Sequence, residues 1–166
     1  AFGYNSLQAN TTGTWNSAIG HQEMQSNTTG NFNTGVGNDA LSSNTTGNSN
    51  VAIGSASLTA NTTGNQNSAV GISSLAANTT GNSNSAFGYN SLNSNTAIGN
   101  SAFGADALNI NSTGSLNSSF GYLALATNTT GSLNSSFGYN SDVASGTLTN
   151  ATAIGSFAQV ASSNSL

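Results

Sequence analysis

The sequence repeats itself every 17 residues. A bulky apolar residue followed by glycine recurs along the chain, and each step is 17 residues except that from Phe87 to Phe103, which is 16. The short repeat carries Asn95-Thr96-Ala97-Ile98-Gly99 in place of the usual Asn-Thr-Thr-Gly turn, and the phase then recovers. We therefore interpret residues 1–166 as a single repeat array with one 16-residue repeat around 88–103 and a degenerate repeat after 142. Because the array begins and ends inside a repeat, we expect it to be a segment of a longer chain.

The repeat has the consensus Asn-Ser-Ala-(Phe/Ile/Val)-Gly-x-x-(Ser/Ala)-Leu-x-x-Asn-Thr-Thr-Gly-x-x. Gly, Asn, Ser and Thr favour turns and caps over helix interiors, so helical repeats are excluded. Two short strands per coil fit better, one over 16–19 and the other over 6–9 and their equivalents, with bends at Gly and Asn. The sequence therefore predicts an all-β fold, a parallel β-solenoid (β-roll) of about ten 17-residue coils.

Two columns of large apolar residues run through the array, and we predict that both form the structural core. The first precedes the glycine and the second follows it by four residues. The predicted core residues are Phe2, Leu7, Ile19, Met24, Val36, Leu41, Ile53, Leu58, Val70, Leu75, Phe87, Leu92, Phe103, Leu108, Phe120, Leu125, Phe137 and Ile154.

Such a core is thin. Two large side chains per coil contribute roughly 1.5–3 kcal/mol each, whereas ordering the backbone costs about 1–2 kcal/mol per residue. We therefore expect self-association as a parallel homotrimer. Because no Lys or Pro protects the strand edges at the two ends, a filament stacked end to end is the alternative. A column of small residues is predicted to let chains approach closely, namely Ala18, Gly35, Ala52, Ala69, Ala86, Ser119, Ser136 and Ala153.

The composition excludes several classes of function. The chain contains no Lys, Arg, Cys or Pro and only four acidic residues. Nucleic-acid binding and attraction to anionic lipid both depend on cationic side chains. Without cysteine there is no thiol chemistry, and no apolar run approaches the ~20 residues that span a bilayer.

No constellation of residues indicates catalysis, a cofactor or a metal. His21 and Glu23 share one atypical repeat, but no second His, Cys or paired carboxylate accompanies them. Asp39 and Asp106 occupy the same repeat position four coils apart and are predicted to be solvated turn residues. The many serines lack a neighbouring base. We predict that the chain is not an enzyme.

The turn triplets Asn-Thr-Thr and Asn-Ser-Thr also match the N-glycosylation sequon. We favour a structural interpretation, in which Asn forms the turn, over a row of glycans along one edge. The candidate attachment sites are Asn10, Asn27, Asn44, Asn61, Asn78, Asn111 and Asn128. Aromatic columns at Trp15 and Phe32 and at Tyr4 and its equivalents are expected to pack, with stacking on sugars as the alternative.

Two sets of motifs resemble known fibre proteins. Asn16-Ser17-Ala18-Ile19-Gly20 and its equivalents at 67–71 and 84–88 resemble the head repeats of trimeric autotransporter adhesins. Gly88-Tyr89-Asn90-Ser91-Leu92 and Asn78-Thr79-Thr80-Gly81 are similar to repeats of bacterial and phage-like tail fibres. The resemblance implies a left-handed roll, a homotrimer, a place on a cell surface or virion fibre, and a surface glycan or host receptor as partner.

The leading functional hypothesis is therefore a structural and adhesive segment of an extracellular fibre. A self-assembling matrix filament of coils stacked end to end is the main alternative. Ice binding is a weaker third, because the repeat places Thr residues in adjacent pairs near a glycine and lacks the alternating Thr-x-Thr of a flat strand.

Overall fold

The computed structural model describes residues 1–165 as an all-β parallel β-solenoid. The described part of the chain contains no helix. Most coils contribute one short strand. The strands are β1 (Ser17–His21), β2 (Thr34–Asn38), β3 (Val51–Ile53), β4 (Ser68–Val70), β5 (Ser85–Phe87), β6 (Ser101–Phe103), β7 (Ser118–Phe120), β8 (Ser135–Phe137), β9 (Asp142–Val143), β10 (Thr152–Ile154) and β11 (Gln159–Val160).

Equivalent strands stack into one nine-stranded parallel sheet in the order β1-β2-β3-β4-β5-β6-β7-β8-β10. Identical repeat positions pair, as in Ala52 with Ala69. The 16-residue repeat keeps this register, since Phe87 pairs with Phe103. The predicted parallel solenoid is confirmed. Nine strands leave eight intervals, so the sheet spans about eight turns, slightly fewer than the ten coils expected.

Only one of the two predicted core columns lies inside. Met24, Leu41, Leu58, Leu75, Leu92, Leu108 and Leu125 are fully buried, and Leu7 is partly buried. The column before the glycine points outward, and its assignment to the core is wrong. Its members Phe2, Ile19, Val36, Ile53, Val70, Phe87, Phe103, Phe120, Phe137 and Ile154 are all exposed or half-buried.

The small residues that were expected to meet another chain fill the interior instead. Ala52, Ala69 and Ala86 are fully buried, as are Ser119 and Ser136. Successive residues of a strand point to opposite faces, so an inward Ala forces the following Ile or Phe outward. The Leu column enters the same narrow interior from the opposite side of the coil and leaves room only for a small side chain.

The predicted second strand at 6–9 and its equivalents is absent from the regular coils. Leu58 adopts a left-handed conformation (φ 49°), as does Ala56 two residues earlier (φ 56°), and the same pair recurs from coil to coil. This segment still joins the inter-coil ladder, because the Leu58 amide donates to the Ser74 carbonyl oxygen at 3.0 Å. Left-handed backbone is unfavourable for non-glycine residues, and the hydrogen-bonded stack holds it in place.

The last coils depart from this scheme where the repeat becomes degenerate. Here β9 and β11 form a separate two-stranded parallel sheet. Val143 and Val160, which pair across it, replace the leucine column in the core. A β-branched core residue thus occurs on this side of the coil only where the segment is extended.

The Asn-Thr-Thr-Gly turn is held by contacts between coils. The backbone amides of Thr45, Thr46 and Gly47 all donate to the carbonyl oxygen of Thr62, at 3.0 to 3.3 Å. Thr45 Oγ1 donates to the same oxygen at 3.1 Å. Consecutive amides that converge in this way form a concavity for a negatively polarised atom, and the neighbouring coil fills it.

The glycine after the outward column lets adjacent coils approach closely. Gly71 has φ +133°, a backbone conformation that residues with a side chain rarely adopt. A Cβ there would lie 2.6 Å from the carbonyl carbon of Gly88. A glycine at this position is therefore required for stacking as well as for the bend.

Candidate functional surface

The outward side of the nine-stranded sheet carries a column of exposed or half-buried apolar side chains along its length. We call it the outer sheet face. It comprises the column of Ile19 together with the flanking columns of Ser17 and His21. The Ile19 column is apolar in every coil, and the Ser17 column is mainly Ser and Thr. The His21 column contains Tyr4, His21, Asn38, Ser55, Ile72, Tyr89, Ala105, Tyr122, Tyr139 and Ser156.

Four phenylalanines form a continuous stack on the outer sheet face. The ring centroids of Phe87, Phe103, Phe120 and Phe137 lie 4.8 to 5.1 Å apart, with interplanar angles of 2° to 6°. Phe120 is 38% exposed, whereas the unstacked Phe2 is 79% exposed. The rings therefore cover one another's faces and present mainly their edges to solvent.

Other aromatic residues also stack along the rod. Tyr122 and Tyr139 lie beside the phenylalanine stack, with centroids 5.5 Å apart. Tyr4 stacks on His21 at 5.4 Å. Trp15 and Phe32 form a separate stacked pair, with centroids 6.4 Å apart and nearly parallel ring planes. Leu116 and Leu133 occupy the Trp15 column later in the chain and remain exposed.

The candidate glycan sites form an interior ladder and not an exposed edge. Asn27, Asn44, Asn61, Asn78, Asn111 and Asn128 are fully buried, and Asn10 in the first coil is half-buried. Asn61 Nδ2 donates to Asn44 Oδ1 at 2.8 Å and to the Gly64 carbonyl oxygen at 3.1 Å. The nitrogen that would carry a glycan is thus engaged and inaccessible in the folded rod, which contradicts the glycan alternative.

A second interior ladder is formed by the Asn residues that follow the Asn-Thr-Thr-Gly turn within each coil. Asn67 Nδ2 donates to Asn50 Oδ1 at 3.2 Å and to the Gly81 carbonyl oxygen at 2.8 Å. The Asn67 backbone amide donates to Asn50 Oδ1 as well, at 3.0 Å. The sequence predicted the Asn61 column at a turn and the Asn67 column at the start of a strand, and the burial of both was missed. Their lack of replacement by Asp or Gln was the available signal.

His21 and Glu23 do not form a joint site. His21 lies on the outer sheet face against Tyr4, whereas Glu23 points into the coil and is fully buried. Neither carboxyl oxygen of Glu23 has a hydrogen-bond partner. Burial raises the pKa of Glu23 to about 7, the nearby Ala40 backbone amide opposes this without forming a well-directed hydrogen bond, and the Asp39 carboxylate adds to it.

The remaining acids are dispersed. Asp39 and Asp106 are half-buried at equivalent turn positions in separate coils. Burial raises the pKa of Asp142, although hydrogen bonds from Val143 and Thr127 oppose the shift. Within residues 1–165 no three His, Cys, Asp or Glu side chains come together as metal ligands would.

In most of the threonine pairs only the second residue is exposed. In a typical pair, Thr45 is half-buried and donates its hydroxyl to the next coil, whereas Thr46 is exposed. The short repeat interrupts the exposed column, because one of its turn residues is deleted. These turns thus carry adjacent threonines and no alternating Thr-x-Thr array.

A shallow cavity of about 290 Å³ lies near the last coils and is lined by Asn150, Thr152, Asn164 and Ser165. None of these side chains titrates near neutral pH. Across residues 1–165, no helix has the length and apolar character needed to cross a membrane.

Comparisons with known proteins add no assignment. No protein-family model matches the chain, and neither the curated proteins nor the solved structures include a significant match.

Proposed function

We propose that this chain is a structural and adhesive segment of an extracellular fibre, on a bacterial surface or a phage-like tail, and that it carries out no catalysis. One observation carries this proposal: equivalent residues of successive coils pair in register along the nine strands. Eight intervals of ~4.8 Å give a rod about 40 Å long with a nearly constant cross-section.

The bonding between coils supports a mechanical role. Backbone ladders and two buried Asn ladders join each coil to its neighbours over sequence separations of 16 or 17 residues. In such an array, each coil is stabilised mainly by the adjacent ones, so the segment can be extended by further repeats. This is what a stalk or fibre head requires.

As partners we propose first other copies of the same chain, in a parallel trimer, and second a surface glycan or host receptor. The narrow interior favours an oligomer, because a regular coil buries only one large apolar side chain, a leucine or a methionine. Packing several rods together would bury the apolar column that a single rod leaves outside.

The proposal is tested on the purified chain by native mass spectrometry and cryo-electron microscopy. We expect discrete rods with three chains in each cross-section. Single-chain rods would overturn the trimer, and continuous unbranched filaments would favour the matrix-filament alternative.

The proposed location is tested separately with antibodies raised against the rod. Intact producing cells or particles should be labelled without permeabilisation. Labelling only after permeabilisation would contradict an extracellular fibre.

A further inference from the structure

The outer sheet face leaves large apolar side chains in solvent along the whole rod. Ile19 and Ile154 are 51% and 69% exposed, although both lie in strands of the main sheet. Parallel sheets are usually covered on both faces, and here the interior of the coil covers only one. Exposed contiguous apolar surface of this kind marks an interaction site in most soluble proteins.

The geometry of the phenylalanine stack selects the chemistry of the partner. C–H groups of a sugar bind to the face of an aromatic ring, where the π-electron density lies. In Phe103 and Phe120 both faces are covered by the neighbouring rings, 4.8 to 5.1 Å away. The exposed edges form an apolar strip that fits another apolar surface better than a carbohydrate.

Charge does not oppose contact between two copies of this face. Glu23 points into the coil, and Asp39, Asp106 and Asp142 lie outside the three columns of the face. The three columns contain no Asp, Glu, Lys or Arg. Two identical faces can therefore meet without burying like charges.

The axial spacing favours a second copy of the chain over an unrelated partner. The face presents a large side chain once per coil, at intervals of ~4.8 Å over the nine strands. A second rod has the same interval, so side chains can interdigitate at every level.

The size of the face is also adequate. Five residues across the strands and eight intervals along the rod give roughly 15 Å by 40 Å, or about 600 Å² per copy. The total of ~1,200 Å² exceeds the ~1,000 Å² expected of a specific interface.

We propose that the outer sheet face is the self-association surface of this chain, and that the stack from Phe87 to Phe137 is its main contact with the other copies. This inference rests on the proposed homo-oligomer and names the surface that forms it. It replaces the small-residue column, which lies in the interior.

The test compares two double variants of the full chain by sedimentation velocity over a range of concentrations. In Phe103→Ser/Phe120→Ser, two rings of the stack are removed from the outward side of the sheet. In the matched control, Ile98→Ser/Ile110→Ser, two apolar side chains that are more exposed than the phenylalanines (51% and 46%) are removed outside the strands. Circular dichroism verifies that each variant retains the β fold.

We expect the phenylalanine variant to be monomeric at concentrations where the wild type is oligomeric, with association weakened at least 100-fold. The control should associate like the wild type. A folded phenylalanine variant that associates normally, or a control that dissociates equally, would overturn the assigned surface while leaving the oligomer intact. A monomeric wild type would overturn both this inference and the proposed oligomer.

A second variant distinguishes weakened association from loss of the fold. Phe120→Tyr keeps the stacked ring but adds a hydroxyl group at the exposed edge. It should fold normally and weaken association less than Phe103→Ser/Phe120→Ser. Association as strong as that of the wild type in both variants would contradict the proposal.

Discussion

The carboxyl group of Glu23 lies over Gly35 in the next coil, and each residue is the exception in its column. A Cβ at Gly35 would be 3.3 Å from Glu23 Oε2 and 3.5 Å from Met24 Cε. Other coils carry Ser or Ala at the position of Glu23 and mainly Ala or Ser at that of Gly35. The larger side chains of one coil are thus accommodated by the missing methyl group of the next.

Glu23 should make the stability of the rod depend on pH. Its pKa is raised to about 7 from an ordinary value of 4.5, so the folded chain keeps a proton that the unfolded chain has lost. Stability is therefore unaffected by this group below pH 4.5, falls as the pH rises from 4.5 to 7, and stays reduced above 7. After allowance for solvent screening the loss is at most about 1–2 kcal/mol, and burial of Asp142 acts in the same direction.

Thermal unfolding of Glu23→Ser at pH 5 and pH 8 measures this effect. Serine is frequent in that column, and Ser57 there donates to the Gly54 carbonyl oxygen at 2.9 Å. We expect the variant to lose most of the difference between the two pH values. Asp106→Asn, a control that removes an acid from a half-buried turn, should keep the wild-type difference. An unchanged pH dependence in Glu23→Ser would refute the assignment.

Glu23 and Gly35 should be energetically coupled. Gly35→Ala should destabilise the wild type, because the added methyl group crowds the carboxyl group. In the Glu23→Ser background the same change should be neutral or stabilising, since alanine reduces the entropy of the unfolded chain. A double-mutant cycle by denaturant unfolding should give a coupling of about 0.5–3 kcal/mol. Additive effects of the two substitutions would contradict the packing described here.

The leucine column should accept methionine but not isoleucine. Leu58 is fully buried with φ 49°, and Met24 already occupies the same column. Leu58→Met should cost less than about 1.5 kcal/mol. Leu58→Ile should cost about 1–2 kcal/mol more, because a β-branched side chain disfavours left-handed backbone.

Denaturant unfolding of both variants provides the measurement. Val143 provides a control, because it carries a β-branched side chain in the extended strand β9. There the order should reverse, with Val143→Ile tolerated better than Val143→Leu. Equal costs for Leu58→Met and Leu58→Ile would show that the backbone conformation does not select the side chain.

Breaking the interior Asn ladder should destabilise the rod more than removing an exposed Asn. Asn61 donates to Asn44 and Gly64, and its Oδ1 accepts from Asn78 Nδ2 at 3.0 Å. Asn61→Ala leaves buried polar groups without partners, at a cost of about 1–3 kcal/mol each. Asn38→Ala, at an exposed position, should change the free energy of unfolding by less than about 0.5 kcal/mol. Similar losses in both variants would contradict a structural role for the ladder.

Several features of the fold could be predicted because they depend on repetition alone. Equivalent segments such as 67–71 and 84–88, which differ only at Val70 and Phe87, can satisfy their backbone groups by lying in register, and the one-residue deletion before Phe103 does not disturb this. The prevalence of Gly, Asn, Ser and Thr, which favour turns over helix interiors, left a parallel β-solenoid as the consistent fold. The conformation of the Leu58 segment could not be predicted, because left-handed leucine is unfavourable except within the assembled stack.

The sequence by itself determined the period, the parallel stacking and the alternation of side chains along each strand. Only the tertiary structure decided which of the alternating residues, Ala52 or Ile53, points inward. Leu58 enters from the other side of the coil, and the space that remains admits a methyl group but no larger side chain. The range of sizes in the outward column, from Val36 to Phe87, contrasts with the uniformly small inward column. That contrast has a packing origin, because a close-packed interior of fixed width cannot accept such variation whereas a solvent-facing surface can.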